Sequence, residues 1–242
     1  MKILLIIPAY NEEENILNTI LSIETFKKEN SHRYSYTVDY VVINDGSTDS
    51  TQAILDENEI NSVQLVANLG IGGAVQTGYR YAEENGYDIA VQFDGDGQHD
   101  IHSLDSVVQP ILKNEADFVI GSRFLPNQKA EFQTTFMRRV GIKILSFLIY
   151  LSARTKLYDV TSGYRACNKE IITYFSKKYP TSYPEPESTV HLLKKKFRIK
   201  EVAVNMMERS GGQSSIRSFT SVKYMFEVSI AIIVSGFMRE GD

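Results

Sequence analysis

A chain of 242 residues, 43% hydrophobic and 23% charged, has the composition of a globular protein and the length of one large α/β domain. Its single cysteine, Cys167, excludes an intramolecular disulfide framework. The net charge of −4 is unevenly divided, with 6 Lys and Arg against 20 Asp and Glu in residues 1–120, and 20 against 10 in residues 121–242.

A solvated surface accounts for such a division as well as an anionic partner does, whether phosphates or a membrane surface. Nucleic acid is disfavoured, because no basic segment is interleaved with stacking aromatics. Cysteine usage and the absence of a secretory pattern point to the cytoplasm.

Ile3–Ile7 reads as a buried strand; it is too short for a signal peptide and runs into Glu12-Glu13-Glu14. Glu12 to about Lys28 is an expected amphipathic helix, and Tyr36–Ile43 a second strand. A turn at Asn44–Asp49 leads to a helix ending near Asn58, then a strand at Val63–Ala67. A glycine-rich loop precedes a helix from Ala74 to Glu84, and strands follow at Ile89–Phe93 and Phe118–Ile120. This alternation predicts a mostly parallel sheet covered by helices on both faces. The clusters Pro8–Glu12, Asn44–Thr48, Asn68–Gly73 and Asp94–Asp100 all fall at carboxyl ends of strands, where open α/β sheets bind ligands.

After Arg123 the character changes. An apolar run, Ile142–Ala153, follows Arg138, Arg139 and Lys143. A second apolar stretch, Phe219–Met238, carries Phe219, Val222, Phe226, Ile230, Ile233 and Phe237 at helical spacing. The first falls short of the ~20 residues a bilayer span needs, and Glu227 interrupts the second. Either alone is more simply a core helix; the pair, flanked by cations, is also compatible with interfacial attachment to a membrane. The expected division is a domain over 1–216 and an amphipathic C-terminal helix over 217–242.

The densest chemistry lies at Asp94-Gly-Asp96-Gly-Gln98-His99-Asp100. Two carboxylates one residue apart after a buried strand repel each other unless a cation joins them. Mg²⁺ or Mn²⁺ takes oxygen ligands and bridges to substrate phosphates, so the pattern points to metal-assisted handling of a diphosphate. Gly95 and Gly97 are expected to let the backbone approach that ligand. The segment fails as a calcium loop, because His99 stands where glycine is required; His99 and His102 lack a third zinc ligand; and no P-loop occurs. His99 is expected to cap or line the site. The run Gly70-Ile-Gly-Gly-Ala-Val75 approximates a dinucleotide fingerprint and keeps a nicotinamide-dependent oxidoreductase as a distant alternative, but Val75 replaces its third glycine. Arg123 after its strand suits a charge-assisted grip on phosphate. Asp159–Arg165 and Arg209–Ser215 have the look of turns, the second a basic loop able to close over a phosphate.

The ordered set Ile7-Pro-Ala-Tyr-Asn-Glu12, Ile43-Asn-Asp45-Gly-Ser-Thr-Asp49, Asn68-Leu-Gly-Ile-Gly-Gly-Ala74, Asp94-Gly-Asp96-Gly-Gln98-His99 and Gly121-Ser-Arg123 resembles family 2 glycosyltransferases. The resemblance is closest to the dolichyl- and polyprenyl-phosphate sugar synthase branch. Asp159–Arg165, Tyr183-Pro-Glu-Pro-Glu187 and Glu208–Ser215 extend it to about residue 216.

It implies a GT-A fold and an inverting hexosyltransferase with a nucleotide-sugar donor, UDP-linked by preference. Pro8, Tyr10, Glu12, Ile43, Asp45 and Gly73 would then hold the nucleoside. Asp94, Gly95 and Asp96 would meet ribose and diphosphate, with Asp96, Gln98 and Asp94 ligating Mg²⁺ or Mn²⁺. Arg123 and Arg209 would neutralise the diphosphate, and Arg138, Arg139, Ser162 and Arg165 an acceptor phosphate. Ser215 departs from the lysine common at that place in the mannose synthases.

The acceptor so implied is a polyprenyl phosphate such as undecaprenyl phosphate, serving cell-surface polysaccharide or glycan modification on the inner face of the cell membrane. A hydroxyl acceptor is the alternative; it would need a base, for which Glu187 and Asp159 are candidates. A non-catalytic relic is disfavoured by the intact Asp94, Asp96, Gln98 and Arg123. Phe219–Met238 is expected to bind the membrane surface, a small integral-membrane partner or a second protomer.

Overall fold

A computed structural model describes residues 1–30, 33–126, 136–207 and 227–230. In chain order the elements are β1 (Lys2–Ala9), α1 (Ile16–Asn30), β2 (Thr37–Asn44), α2 (Thr51–Glu57), β3 (Ser62–Gln64), α3 (Gly70–Glu84) and β4 (Ile89–Gln92). They continue with α4 (Leu104–Leu112), β5 (Phe118–Ser122), α5 (Phe136–Ala153), β6 (Arg165–Asn168), α6 (Lys169–Lys177), α7 (Pro184–Lys194) and β7 (Ile199–Ala203). The strands form one sheet in the order β3-β2-β1-β4-β6-β5-β7. Among the described strands only β6 runs antiparallel to its neighbours, between β4 and β5.

The unbroken apolar run of β1 has a direct cause. Successive side chains point to opposite faces, so Ile3, Leu5 and Ile7 enter one core cluster while Leu4 and Ile6 enter the other. Helices cover both faces, and all five residues are fully buried. Each contributes about 1.5–3 kcal/mol of apolar burial. Gly78 of α3 lies so close to β1 that a Cβ there would come within 2.1 Å of Ile6 Cγ2.

The structure moves several expected boundaries. β3 ends at Gln64, short of Ala67. The glycine-rich run is the first turn of α3, which starts at Gly70. Asp45 accepts from the Leu69 amide at 2.7 Å and Asn68 from the Gly70 amide at 2.9 Å, so donors that open the helix are satisfied by side chains. Strands β6 and β7 and helices α4, α6 and α7 have no counterpart in the sequence reading.

The run Ile142–Ala153 lies in α5 and is core on one side only. Ile142, Leu145 and Ile149 are buried. Val140, Ile144, Phe147 and Leu151 stand exposed at 36, 48, 58 and 55%. At 100° per residue these two sets occupy opposite faces of the helix. Arg139 and Lys143 are exposed along one flank of the outer stripe.

Of the expected C-terminal helix only residues 227–230 are described, and they are helical. Val228 is buried in the cluster containing Leu4 and Ile6, and Glu227 accepts from the Tyr183 hydroxyl. The rest of 217–242, Arg209 and the Arg209–Ser215 loop lie outside the described residues. Among the described residues no helix is long and apolar enough to cross a membrane.

Candidate active site

Loops following β1 and β2 interlock at the carboxyl edge of the sheet. Asn11, at φ 55°, donates its amide to Ser47 Oγ at 3.0 Å and accepts from the Thr48 amide at 2.8 Å. Glu13 accepts from the Ser50 amide at 2.9 Å, and the Glu12 amide donates to Thr51 Oγ1 at 2.9 Å. The turn at Asn44–Asp49 is thereby fixed against Pro8–Glu12.

Within the expected nucleoside set, Tyr10 stands at the rim, 47% exposed, and Glu12 is half-buried. Pro8 and Ile43 are buried; the Ile43 side chain belongs to the core, leaving only its backbone to face a ligand. Asp45 is almost fully enclosed, and burial raises its carboxyl above the ordinary range against the pull of the Leu69 and Gly70 amides. A Cβ at Gly72 would lie 2.4 Å from the Pro180 carbonyl, and one at Gly73 2.5 Å from Leu69 Cβ. The close approach these glycines permit is used by the chain itself, which removes the basis of the nicotinamide alternative.

Beyond β4 the chain turns out of the sheet at Asp94. Its amide donates to His99 Nδ1 at 2.9 Å, and His99 Nε2 lies 3.4 Å from Asp94 Oδ2. Because Nδ1 accepts, the neutral ring carries its proton on Nε2, facing the carboxylate. Burial lowers the His99 pKa to about 4, helped by Arg123 and opposed by Asp96, so the ring is neutral at pH 7. Tyr164 stacks on His99 at 4.7 Å and 15°, and its hydroxyl donates to the Asp100 carbonyl at 3.3 Å. His99 is therefore the prop of the Asp94 loop.

Asp96 Oδ1 accepts from the Gln98 amide at 3.0 Å. Gly97, at φ 77°, needs glycine for its conformation. Gly95 is held instead by β1, where a Cβ would lie 3.2 Å from the Pro8 carbonyl.

Asp94, Asp96 and Gln98 are all partly exposed at this edge. No cluster of three or more His, Cys, Asp and Glu able to hold a metal occurs among the described residues. The set fits Mg²⁺ or Mn²⁺ of the kind bound through one or two carboxylates and completed by substrate phosphates.

Arg123 and Asp159, expected as phosphate clamp and base, are brought together as a pair. Arg123 Nε and Nη2 donate to the two carboxylate oxygens at 2.7 and 2.8 Å, and the Arg123 amide donates to Oδ2 at 3.0 Å. Asp159 is fully buried and Arg123 7% exposed. Glu201 of β7 accepts the Tyr158 and Asp159 amides at 2.8 and 2.7 Å, which fixes the turn.

Arg165 and Ser162 require correction as acceptor-phosphate residues. Arg165 is 1% exposed, and its guanidinium is spent on Val160, Ser162 and Glu185 carbonyls and on the Ser188 and Thr189 hydroxyls. It ties the 160–163 turn to the start of α7. Ser162 has no exposed surface. Arg139 is exposed on α5, and the side chain of Arg138 lies outside the described ones.

The Glu187 amide donates to the Tyr183 carbonyl at 3.2 Å in the first turn of its helix; burial raises the Glu187 carboxyl and the Tyr183 amide opposes the rise. Glu185, quoted within Tyr183–Glu187 but given no role of its own, is partly exposed; burial raises its carboxyl, and the Arg165 charge opposes the rise. Gly163 was also missed: a Cβ there would lie 2.9 Å from Asp94 Oδ2. The available signal was Pro184 at the first helical position, which sets the phase of the two acids.

The profile of glycosyl transferase family 2 matches residues 4–175. The UDP-N-acetylglucosamine–dolichyl-phosphate N-acetylglucosaminyltransferase of Methanococcus voltae is 33% identical over 224 residues, covering 84% of each chain. The undecaprenyl-phosphate mannosyltransferase of Micrococcus luteus is 30% identical, covering 89% of this chain and 88% of its own. Among solved structures, glucosyl-3-phosphoglycerate synthase from Mycobacterium tuberculosis, in complex with Mn²⁺, UDP and glucosyl-3-phosphoglycerate, superposes with a TM-score of 0.70. At 21% identity, covering 99% of this chain and 82% of that one, it shows a shared GT-A fold. The seven-stranded sheet with its acidic loop after β4 and the matched profile lead to one conclusion: this chain is a glycosyltransferase and belongs to glycosyl transferase family 2.

Proposed function

We propose that the protein transfers a hexose from a nucleotide sugar, UDP-linked by preference, to a polyprenyl phosphate at the inner face of the cell membrane. The observation that carries this reading is α5, whose stripe Val140, Ile144, Phe147 and Leu151 faces outward beside Arg139 and Lys143. An apolar stripe edged by cations suits a helix lying in an anionic lipid interface. The Methanococcus and Micrococcus relatives, named for dolichyl- and undecaprenyl-phosphate acceptors, support the same reading.

The acid placements agree. A hydroxyl acceptor needs a base, yet Asp159, one of the two candidates, is paired with Arg123. A phosphate is already anionic at pH 7 and attacks without such help. Negative charge then develops on the departing nucleoside diphosphate. Asp96, Gln98 and Asp94 would hold the divalent cation, which supplies positive charge to the leaving group. Asp45, Tyr10 and Glu12 would position the nucleoside. With Arg123 largely balanced by Asp159, we assign the remaining neutralisation to Arg209 from the 208–215 segment.

Radiolabelled transfer from UDP-, GDP- and dTDP-sugars into undecaprenyl phosphate, with Mg²⁺ or Mn²⁺, tests the reading. Labelled lipid that disappears in Asp96→Ala is the expected result. Transfer to a water-soluble hydroxyl acceptor, with none to the lipid, would refute the acceptor assignment.

A further inference from the structure

At the opposite edge of the sheet from Asp94 and Arg123 lies a cleft of about 690 Å³, a volume ordinary for a small-molecule site. It opens beside Asp117, just before β5, so the length of that strand sets it roughly 17 Å from the candidate active site. One wall is a single face of α6, on which Glu170, Thr173, Tyr174 and Lys177 recur at helical spacing. The other is the turn Lys195-Lys196-Phe197 between α7 and β7.

The charges on these walls do not balance. Asp117 is taken by Arg198, whose Nη2 and Nε donate to its carboxylate oxygens at 2.7 and 3.0 Å and whose amide donates at 2.8 Å. Glu170 lies in the first turn of α6, at the far end of that wall from Lys177. Lys177, Lys195 and Lys196 are all exposed, and Lys195 Nζ stands 4.9 Å from the centre of the Tyr174 ring. Lysines in a last helical turn complement the helix dipole, which accounts for Lys177 and Lys194. Lys195 and Lys196 lie past the end of α7 and need another reason.

Lys196 carries the clearest sign of one. Its amide donates to the Leu193 carbonyl at 3.0 Å and the Phe197 amide to the Leu192 carbonyl at 3.1 Å, which closes α7 in a Schellman motif. That motif puts Lys196 at φ 65°, where glycine is the favoured residue. A lysine there costs stability, and backbone strain of this kind collects at functional positions.

We propose that the cleft is a second anion site, apart from the candidate active site, which takes a phosphate-bearing ligand on Lys177, Lys195 and Lys196. Each lysine offers a point charge with three donors, and three of them around one cleft match the several oxygens and double charge of a phosphate better than the single charge of a carboxylate. The phosphate belongs to a soluble compound or to a lipid headgroup, since α6 and α7 pack on the same core cluster as α5.

The test uses the full chain in EDTA at low ionic strength, titrated with inorganic pyrophosphate in a calorimeter and floated with phosphatidylglycerol or phosphatidylcholine vesicles. Lys177→Ala and Lys196→Gly should each raise the pyrophosphate Kd about tenfold, or lower flotation with the anionic vesicles where the headgroup is the ligand. Lys196→Gly should also keep or raise Tm, because glycine suits the left-handed position, so lost binding there is not lost folding. Two controls, the exposed Lys113→Ala outside the cleft and Asp96→Ala at the acidic loop, should leave the pyrophosphate Kd within about twofold of wild type.

Lysine-dependent binding of pyrophosphate alone names a soluble phosphate; lysine-dependent flotation, with or without it, names the headgroup. No saturable binding of either probe would overturn the proposal, as would binding that ignores Lys177→Ala and Lys196→Gly. So would equal weakening by Lys113→Ala, the mark of net charge alone, or a Kd that follows Asp96→Ala, which would put the anion at the acidic loop.

Discussion

Removing the carboxylate of Asp159 breaks its ion pair with Arg123 in a place that is 7% exposed. The pair is bidentate, at 2.7 and 2.8 Å, with a third hydrogen bond from the Arg123 amide at 3.0 Å. Two unit charges about 4 Å apart at an effective dielectric of 20 attract by about 4 kcal/mol. Breaking one side of a buried pair costs about 3–5 kcal/mol, in agreement. Asp159→Ala should therefore lower stability by about 3–5 kcal/mol, a Tm loss of roughly 6–20 °C for a domain of this size. Scanning calorimetry, with chemical denaturation as a second measure, reads this directly. Replacing both partners with apolar residues of similar volume should recover much of the loss, because the unpaired charge is gone. An Asp159→Ala protein with wild-type Tm would refute the buried-pair reasoning and return Asp159 to the list of candidate bases.

Four further outcomes are expected. Gly163→Ala places a Cβ 2.9 Å from Asp94 Oδ2 and should reduce kcat/KM by about tenfold or more with unchanged circular dichroism; full activity would show that the Asp94 position is not critical. Gly72→Ala brings a Cβ to 2.4 Å from the Pro180 carbonyl and 2.5 Å from Thr181 Cα, backbone atoms that cannot swing aside, and should cost about 1–3 kcal/mol in urea unfolding. Phe147→Glu with Leu151→Glu alters exposed positions, so Tm should hold while flotation with anionic vesicles falls; unchanged flotation would dismiss α5 as the contact. Burial pushes the Asp49 carboxyl up, but hydrogen bonds from the Thr51 hydroxyl and amide and the Glu13 amide outweigh it, leaving the pKa below the ordinary value. Its contribution is then complete above the unfolded value of about 3.9 and fades as pH falls through the folded pKa. Asp49→Asn should accordingly be less stable than wild type at neutral pH, with the difference closing in acid.

Strands β1, β2 and β4 are legible because their apolar runs are long enough to carry a pattern by themselves. β6 is not, since Arg165-Ala-Cys-Asn168 is four residues with a cation at one end. It becomes a strand only because β4 and β5 present edges on either side of it. β7, Ile199-Lys-Glu-Val-Ala203, likewise depends on pairing with β5. The start of α3 escaped because glycine weakens helix signals, and its amides are satisfied by Asp45, about 24 residues upstream.

The acidic loop after β4, the polar clusters at strand ends and the family resemblance are properties of the sequence itself, because each resides in adjacent residues or in their order. Which cations and acids answer one another is decided in three dimensions. Arg123 and Asp159 are 36 positions apart, and Arg165 finds its backbone acceptor on Glu185 20 positions away. From the chain alone every one of these charges is an equal candidate for substrate. Burial then makes an unpaired charge costly, so whichever groups the sheet brings together neutralise each other. The fold thereby withdraws Asp159 and Arg165 into structural hydrogen bonds.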